Sequence, residues 1–289
     1  MKVVVTGYAS LDYAVRLDRA PEPDRTTTIL SRATEFPRLG GSPAYAAAAI
    51  VAGGGDATPI TWVGDDAEGQ RYRAELEARG VSAEGVGARA GRTPICILAY
   101  EPSGGCHCLY HPSLPEPLTL DDAQRALVSA ADLLCVTVGP EQATRAALAL
   151  LRPGAKLIWA VKADGRAVPP DLAAALAERA DVILASRGER GFVDEALIRA
   201  DRSGRTPVRI ETRGSGGVAI LGEGTETLVP SPPVEAEDTT GSGDTFLGGF
   251  LAAWKGDEVQ TAVASGIAAA RSLLLTRVNI EQRSKTYVA

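Results

Sequence analysis

Histidine is nearly missing from this chain: its 289 residues hold two, His107 and His111. A hydrolase triad needs an imidazole held against a nucleophile, and no such arrangement is visible. Cysteine is scarce as well. Cys96, Cys106, Cys108 and Cys135 form no disulfide framework, so a reducing cytoplasm is the expected compartment. No stretch of about 18 uncharged apolar residues occurs, so no membrane span is expected. The opening run Lys2-Val3-Val4-Val5-Thr6-Gly7 is too short for a signal-peptide core and reads as a strand ending in a glycine turn. Positive charge is not in excess. A net charge of −6 and a pI of about 5.2 argue against a nucleic-acid or anionic-membrane partner. The Gly-x-x-x-x-Gly-Lys-Ser/Thr run of a P-loop is absent. The dinucleotide fingerprint fails too, because Phe246 stands where a third glycine would follow Gly241 and Gly243. No internal repeat or low-complexity linker is evident.

What remains is an ordinary globular composition, 45% hydrophobic and 23% charged, long enough for one large domain spanning residues 1–289. Short apolar runs alternate with Ala/Leu-rich helical patterns. Strands are expected at Val3–Thr6, Pro59–Val63, Leu133–Val138, Leu157–Val161, Val182–Leu184, Val208–Thr212 and Val218–Leu221. Helices are expected at Ala44–Ala52, Gly69–Arg79, Leu120–Ser129, Gln142–Leu151, Pro170–Arg179, Asp244–Trp254 and Val259–Leu275. This order predicts an α/β fold, a mainly parallel sheet with helices on both faces. Ligands in such sheets bind beyond the carboxyl ends of the strands. Two segments break the alternation, at about residues 13–38 and 92–112. Thr93–Tyr100 and Cys106–Tyr110 are strand-like around a Glu101-Pro102-Ser103-Gly104-Gly105 turn, and Ala14–Leu17 and Thr26–Leu30 lie among prolines. They predict a small separate sheet, either a lid or an edge hairpin. Cys106-His107-Cys108 with His111 suggests a metal cluster at first sight. Strand alternation sends both thiols to one face and His107 to the other, which favours packing over zinc.

The most informative run is Asp238-Thr239-Thr240-Gly241-Ser242-Gly243-Asp244. It precedes an apolar helix, Phe246 to Trp254. Glycines let successive backbone N–H groups point at one spot, and a helix N-terminus adds its positive dipole end. The product is an anion hole with a carboxylate beside it, the equipment for phosphoryl transfer to a hydroxyl. A helix cap would use some of the same residues. Two carboxylates, two threonines and two glycines in seven residues exceed what a cap needs.

This run resembles the Asp-Thr-Thr-Gly-Ala-Gly-Asp signature of the ribokinase (PfkB) family of carbohydrate and nucleoside kinases, with Ser242 at the alanine. The resemblance implies a ribokinase-like fold with a β-sheet lid, ATP and Mg²⁺ as co-substrate and cofactor, and a K⁺ ion as an optional activator. Asp244 is then the general base, and the Gly241, Ser242 and Gly243 amides form the anion hole. Asp238 and Thr240 match a monovalent-cation site. Asp12 after Gly7, and Gly40 and Gly41 at a helix start followed by Gly64-Asp65-Asp66-Ala67-Glu68-Gly69, match the acceptor-binding part. Tyr45 stands where relatives carry an asparagine for sugar hydroxyls. Its flat ring makes a nucleoside or a less hydroxylated polyol a second acceptor class. Thr212, Gly214 and Gly217 match the nucleotide edge. Ser186 and Glu189 match an Asn-x-x-Glu in which the acid holds water around Mg²⁺. Lys162 fits either a phosphate contact or an edge ion pair, and Arg187 either a phosphate contact or the surface. The activity implied is transfer of the γ-phosphoryl group of ATP to a hydroxyl of a sugar or sugar-like acceptor. A nucleoside kinase and a non-catalytic binding protein on the same fold are the alternatives. A homodimer through the lid is implied as well.

Overall fold

β1 (Lys2–Thr6) buries four consecutive side chains, Val3 to Thr6. A strand with no wet face must lie between two apolar layers, as parallel strands flanked by helices do. The structure, a computed structural model, describes residues 1–201, 206–222, 224–236 and 238–286. After β1 come β2 (Ser10–Leu17), β3 (Ile29–Arg32), β4 (Arg38–Gly40), α1 (Ser42–Ala52), β5 (Asp56–Gly64), α2 (Ala67–Ala78), β6 (Val86–Arg89), β7 (Ile95–Tyr100) and β8 (Cys106–His111). The second half runs α3 (Asp122–Ala130), β9 (Leu133–Val136), α4 (Glu141–Leu150), β10 (Lys156–Ala160), α5 (Pro170–Arg179), β11 (Val182–Ser186), α6 (Arg190–Arg199), β12 (Val208–Thr212), β13 (Val218–Leu221), β14 (Glu226–Val229), α7 (Ser242–Ala253) and α8 (Val259–Thr286).

Nine strands form the main sheet in the order β14-β13-β12-β11-β10-β9-β1-β5-β6. All its pairings are parallel except those of β13 with β12 and β14. Alternate residues of the central strands feed opposite layers. Val3 and Val5 join Ile50 of α1, Leu76 of α2, Phe250 of α7 and Val263 of α8. Val4 and Leu134 join Val128 of α3, Ala147 of α4, Leu172 of α5 and Val193 of α6. The helices therefore cover both faces, as the alternation of elements predicts.

From β1 the chain proceeds to β5 and β6 on one side, and from β9 to β10 and β11 on the other. The order reverses between β1 and β9, the place where ligands of open α/β sheets bind. Thr137 closes this seam by donating to the Thr6 carbonyl from both its backbone N–H, at 2.9 Å, and its Oγ1, at 2.8 Å.

β2, β3, β4, β7 and β8 make a separate five-stranded sheet. β3 sits slightly later than the strand expected at Thr26–Leu30, and β6 and β14 have no counterpart in the sequence reading. β6 reads Val-Gly-Ala-Arg and β14 is mostly exposed, so neither carries the apolar run that marks a buried strand. α8 also continues past Leu275. Its stretch Val259–Asn279 has a mean hydropathy of 1.2 and is long and apolar enough to cross a membrane by length and composition, an exception to the expectation from sequence. Arg271 and Arg277 lie inside it, which is why no uncharged run of that length exists. Ala262, Val263 and Ile267 of this helix are buried against the core.

Candidate active site

The signature run forms the turn into α7. Gly241 caps this helix with φ +70°, in the left-handed region that glycine enters freely. A β-carbon there would also stand 2.7 Å from the Tyr45 ring of α1. Two hydrogen bonds hold the turn. Ser242 N–H donates to Thr239 O at 3.1 Å and Thr245 N–H to Gly241 O at 2.8 Å. Gly243 faces open space where a side chain would be. The first turn of a helix has N–H groups without intrahelical partners, so this open space borders a positive backbone edge.

Asp244 occupies that first turn, half-buried. Burial pushes its carboxyl above the ordinary range. The Ser42 side chain and the Lys162 charge pull the other way, and Glu189 adds to the rise. Groups from α1, the end of β10 and the end of β11 therefore converge on Asp244 electrostatically. A carboxylate of raised proton affinity suits a general base.

Asp12 lies on β2 in register with Arg38 of β4. It is 4% exposed, and Ser10 Oγ donates to its Oδ1 at 2.6 Å. Gly40 passes so close that a β-carbon would sit 2.1 Å from the same oxygen. Burial raises the Asp12 carboxyl, Ser10 and Arg38 lower it, and Asp244 and Asp238 raise it again. The Asp244 charge therefore reaches Asp12 on the small sheet. Tyr45 is buried, its ring against Gly241 and its hydroxyl without a hydrogen-bond partner among the described residues.

Asp238 is enclosed by groups that sequence reasoning missed. Its carboxylate pairs with both terminal nitrogens of Arg38, the Nη2–Oδ1 distance being 3.2 Å. The Tyr100 hydroxyl of β7 donates to its Oδ1 at 3.0 Å and is also hydrogen-bonded to Thr240 Oγ1. Arg277 of α8 lies 3.5 Å from Oδ1 and donates to the carbonyls of Asp238, at 3.3 Å, and Thr240. No local signal marks these partners. Arg38 is distant in sequence by 200 positions, and Arg277 is one of three arginines of α8.

The residues expected at a nucleotide edge lie at or just past the carboxyl ends of their strands. Ser186 ends β11, Thr212 ends β12, and Gly214 to Gly217 turn into β13. Glu189 accepts from Ser186 N–H at 2.8 Å, Ser186 Oγ at 2.7 Å and Ala163 N–H at 3.3 Å. With these bonds made, its carboxylate fits a role in holding metal-bound water better than direct coordination, which matches the habit of Mg²⁺. Beside Thr212, buried Glu211 is clamped by Arg190 at 2.6 Å and Arg213 at 2.7 Å, which braces this edge. Lys162 is exposed at the end of β10. Cys96 and Cys108 approach to 3.3 Å between their sulfurs, and His107 pairs with Glu101.

A mostly parallel sheet with a carboxylate and a helix N-terminus at its reversal point, faced by a small second sheet, is the framework of a phosphotransferase acting on a hydroxyl. The chain belongs to the pfkB family of carbohydrate kinases, whose sequence pattern it matches over residues 2–280. It is 30% identical over 261 residues to the ATP-dependent ribose-1-phosphate kinase of Halopiger xanaduensis, covering 89% of this chain and 86% of that one. The fold is that of a Cryptococcus neoformans ribokinase solved with ADP, at TM-score 0.76 and 20% identity over 93% of this chain and 92% of that one. It is also that of a Methanocaldococcus jannaschii nucleoside kinase, at TM-score 0.73 and 18% identity over 93% and 90%.

Proposed function

We propose that this protein transfers the γ-phosphoryl group of ATP to a hydroxyl of a sugar or sugar-like acceptor, with Asp244 as the base. The observation that carries the reading is the juxtaposition of half-buried Asp244, the open space at Gly243 and the α7 N-terminus. The acceptor lies between the sheets, its hydroxyls held by Asp12, by backbone at Gly40 and Gly41, and by the free Tyr45 hydroxyl. Asp244 takes the proton of the attacking hydroxyl as that oxygen bonds to the γ-phosphorus and the bond to the ADP oxygen breaks. The Gly241 and Gly243 amides hold the charge that spreads over the phosphoryl oxygens, whereas the Ser242 N–H, expected to join them, is taken up by Thr239 O at 3.1 Å. Mg²⁺ would supply positive charge against the nucleotide phosphates, with its water held by Glu189. Thr212, Gly214 and Gly217 receive the nucleotide. The five-stranded sheet acts as the lid that excludes water. The four cysteines are free thiols, which suits a reducing cytoplasm.

Lys162 favours a phosphorylated acceptor as a second reading. It is an exposed cation whose field reaches Asp244, and the Halopiger xanaduensis relative is named for a sugar phosphate. An acceptor panel tests both: ADP release from Mg-ATP with ribose, fructose, ribose 1-phosphate, adenosine and inosine. A free sugar is expected to turn over best, and ribose 1-phosphate turning over best would carry the second reading. A nucleoside turning over best would transfer the assignment to the nucleoside class. Nucleotide binding by calorimetry without turnover of any acceptor would mark a binding protein instead. In the same assay Tyr45→Phe is expected to raise the acceptor KM about three- to tenfold, the worth of one hydrogen bond, without lowering Tm.

The lid also supports a homodimer. Ile97 of β7 and Leu109 of β8 stand opposite one another and are 40% and 59% exposed. Sedimentation is expected to give a dimer that Leu109→Lys weakens, and a wild-type monomer at micromolar concentration would exclude it.

A further inference from the structure

We propose that Arg277, seconded by Arg38, is a built-in cation at the Asp238–Thr240 turn, so that this chain needs no monovalent metal ion for phosphoryl transfer. The inference rests on the kinase reading above. A monovalent cation is implied at Asp238 and Thr240 by the family resemblance, and the oxygens present there do not fit one. A bare alkali ion needs several free oxygen lone pairs around it. Here the backbone carbonyls of Asp238 and Thr240 and Oδ1 of Asp238 all converge on one guanidinium nitrogen, Nη1 of Arg277. The same Oδ1 already accepts from Thr240 N–H at 3.0 Å, Tyr100 at 3.0 Å and Arg38 at 3.2 Å. The other carboxylate oxygen faces Arg38. A carboxylate has about four lone-pair positions, two on each oxygen; four donors compete for the two on Oδ1, and Oδ2 accepts from Arg38. A metal ion entering the cluster would displace a guanidinium and sit against its like charge.

The placement of Arg277 gives it a function beyond filling space. Its side chain is 12% exposed, so its charge is screened little by salt. It pins the Thr240 carbonyl immediately before Gly241, whose left-handed conformation starts α7 one residue ahead of the Ser242-Gly243 step that borders open space. A metal ion at that turn would orient the same peptide, but only while bound. A guanidinium tethered to α8 stays charged at every working pH and orients the turn without a binding equilibrium. Arg277 is thus a positioning residue for the anion hole.

The test compares KCl, NaCl and choline chloride at constant ionic strength, using the full chain. Two quantities are followed, ADP release with the best acceptor of the panel and the Tm of the Mg-ADP complex. Wild-type protein is expected to show the same rate and Tm in all three salts. Arg277→Ala is expected to lose about tenfold in kcat in choline, a typical coupling magnitude, with nucleotide affinity nearly unchanged. Its rate should recover in part with K⁺ or with millimolar guanidinium. Arg277→Lys should keep most of the rate without added cation. K⁺-specific activation of wild type by about tenfold or more, or a K⁺-specific rise in its Tm, overturns the proposal. So does Arg277→Ala retaining full rate in choline. If Arg277→Ala fails to fold, the wild-type salt comparison and Arg277→Lys decide alone. If no acceptor turns over, the kinase reading fails, whereas the Tm comparison still reports whether the turn takes up K⁺.

Discussion

Replacing Asp244 by Asn is expected to lower kcat by ~10²–10⁴ while Mg-ADP affinity, measured by calorimetry, stays near that of wild type. Asn keeps the size and the neighbours of Asp244 but cannot take a proton from the acceptor hydroxyl. The burial that raises the Asp244 carboxyl gives it a higher proton affinity than a solvated aspartate. The pH profile should follow. The base works when ionised, so kcat/KM should fall on the acid side with an apparent pKa above that of a free aspartate. The Asn variant should lack this limb. Turnover near that of wild type would reassign the base.

Asp238→Ala is expected to cost about 3–5 kcal/mol of folding stability, because it leaves the Arg38 charge buried without its partner. The Arg38 side chain is 7% exposed and that of Asp238 15%. Urea unfolding at pH 7 measures the difference. The sign with pH is fixed by the direction of the shift. Burial would raise the Asp238 carboxyl, but the hydrogen bond and charge of Arg38, the charge of Arg277 and the Thr240 N–H override it and hold it far below the ordinary range. A carboxyl depressed on folding stabilises the protein fully above its unfolded pKa of ~3.9. That stabilisation is lost as pH falls below this value toward the folded pKa. Wild type should therefore lose part of its advantage over Asp238→Ala between about pH 4 and lower values. An Asp238→Ala variant as stable as wild type at pH 7 would show that the pair contributes nothing net. The change should also lower turnover, since Asp238 ties β4 and β7 of the small sheet to the turn before Asp244 through Arg38 and Tyr100.

The wider parts of the fold were legible because they depend on local pattern. Val3 to Thr6 form a run without polar alternation, and such runs become central parallel strands. Strand β5 begins earlier than its apolar run, at Asp56, because Ala57 and Thr58 are buried and paired with β1 without being strongly apolar. The short edge strands were illegible for the converse reason. Their side chains face water on at least one side, so composition says little about their backbone.

At the candidate site the division is sharper. Asp238 to Asp244 announce an anion-binding turn by themselves, since a glycine in the left-handed region before an apolar helix is a local property. The sequence alone therefore determined the reaction class, the family resemblance and the candidate base. What surrounds Asp238 was decided only by tertiary structure. Arg38, Tyr100 and Arg277 come from β4, β7 and α8, and nothing in their own neighbourhoods distinguishes them from surface residues. Ion pairing at a buried carboxylate depends on which side chains the packing brings within about 3 Å, and chain order does not encode that distance. The same holds for Tyr45, whose substitution is visible in the sequence, while its ring's seat against Gly241 follows from how α1 packs beside α7.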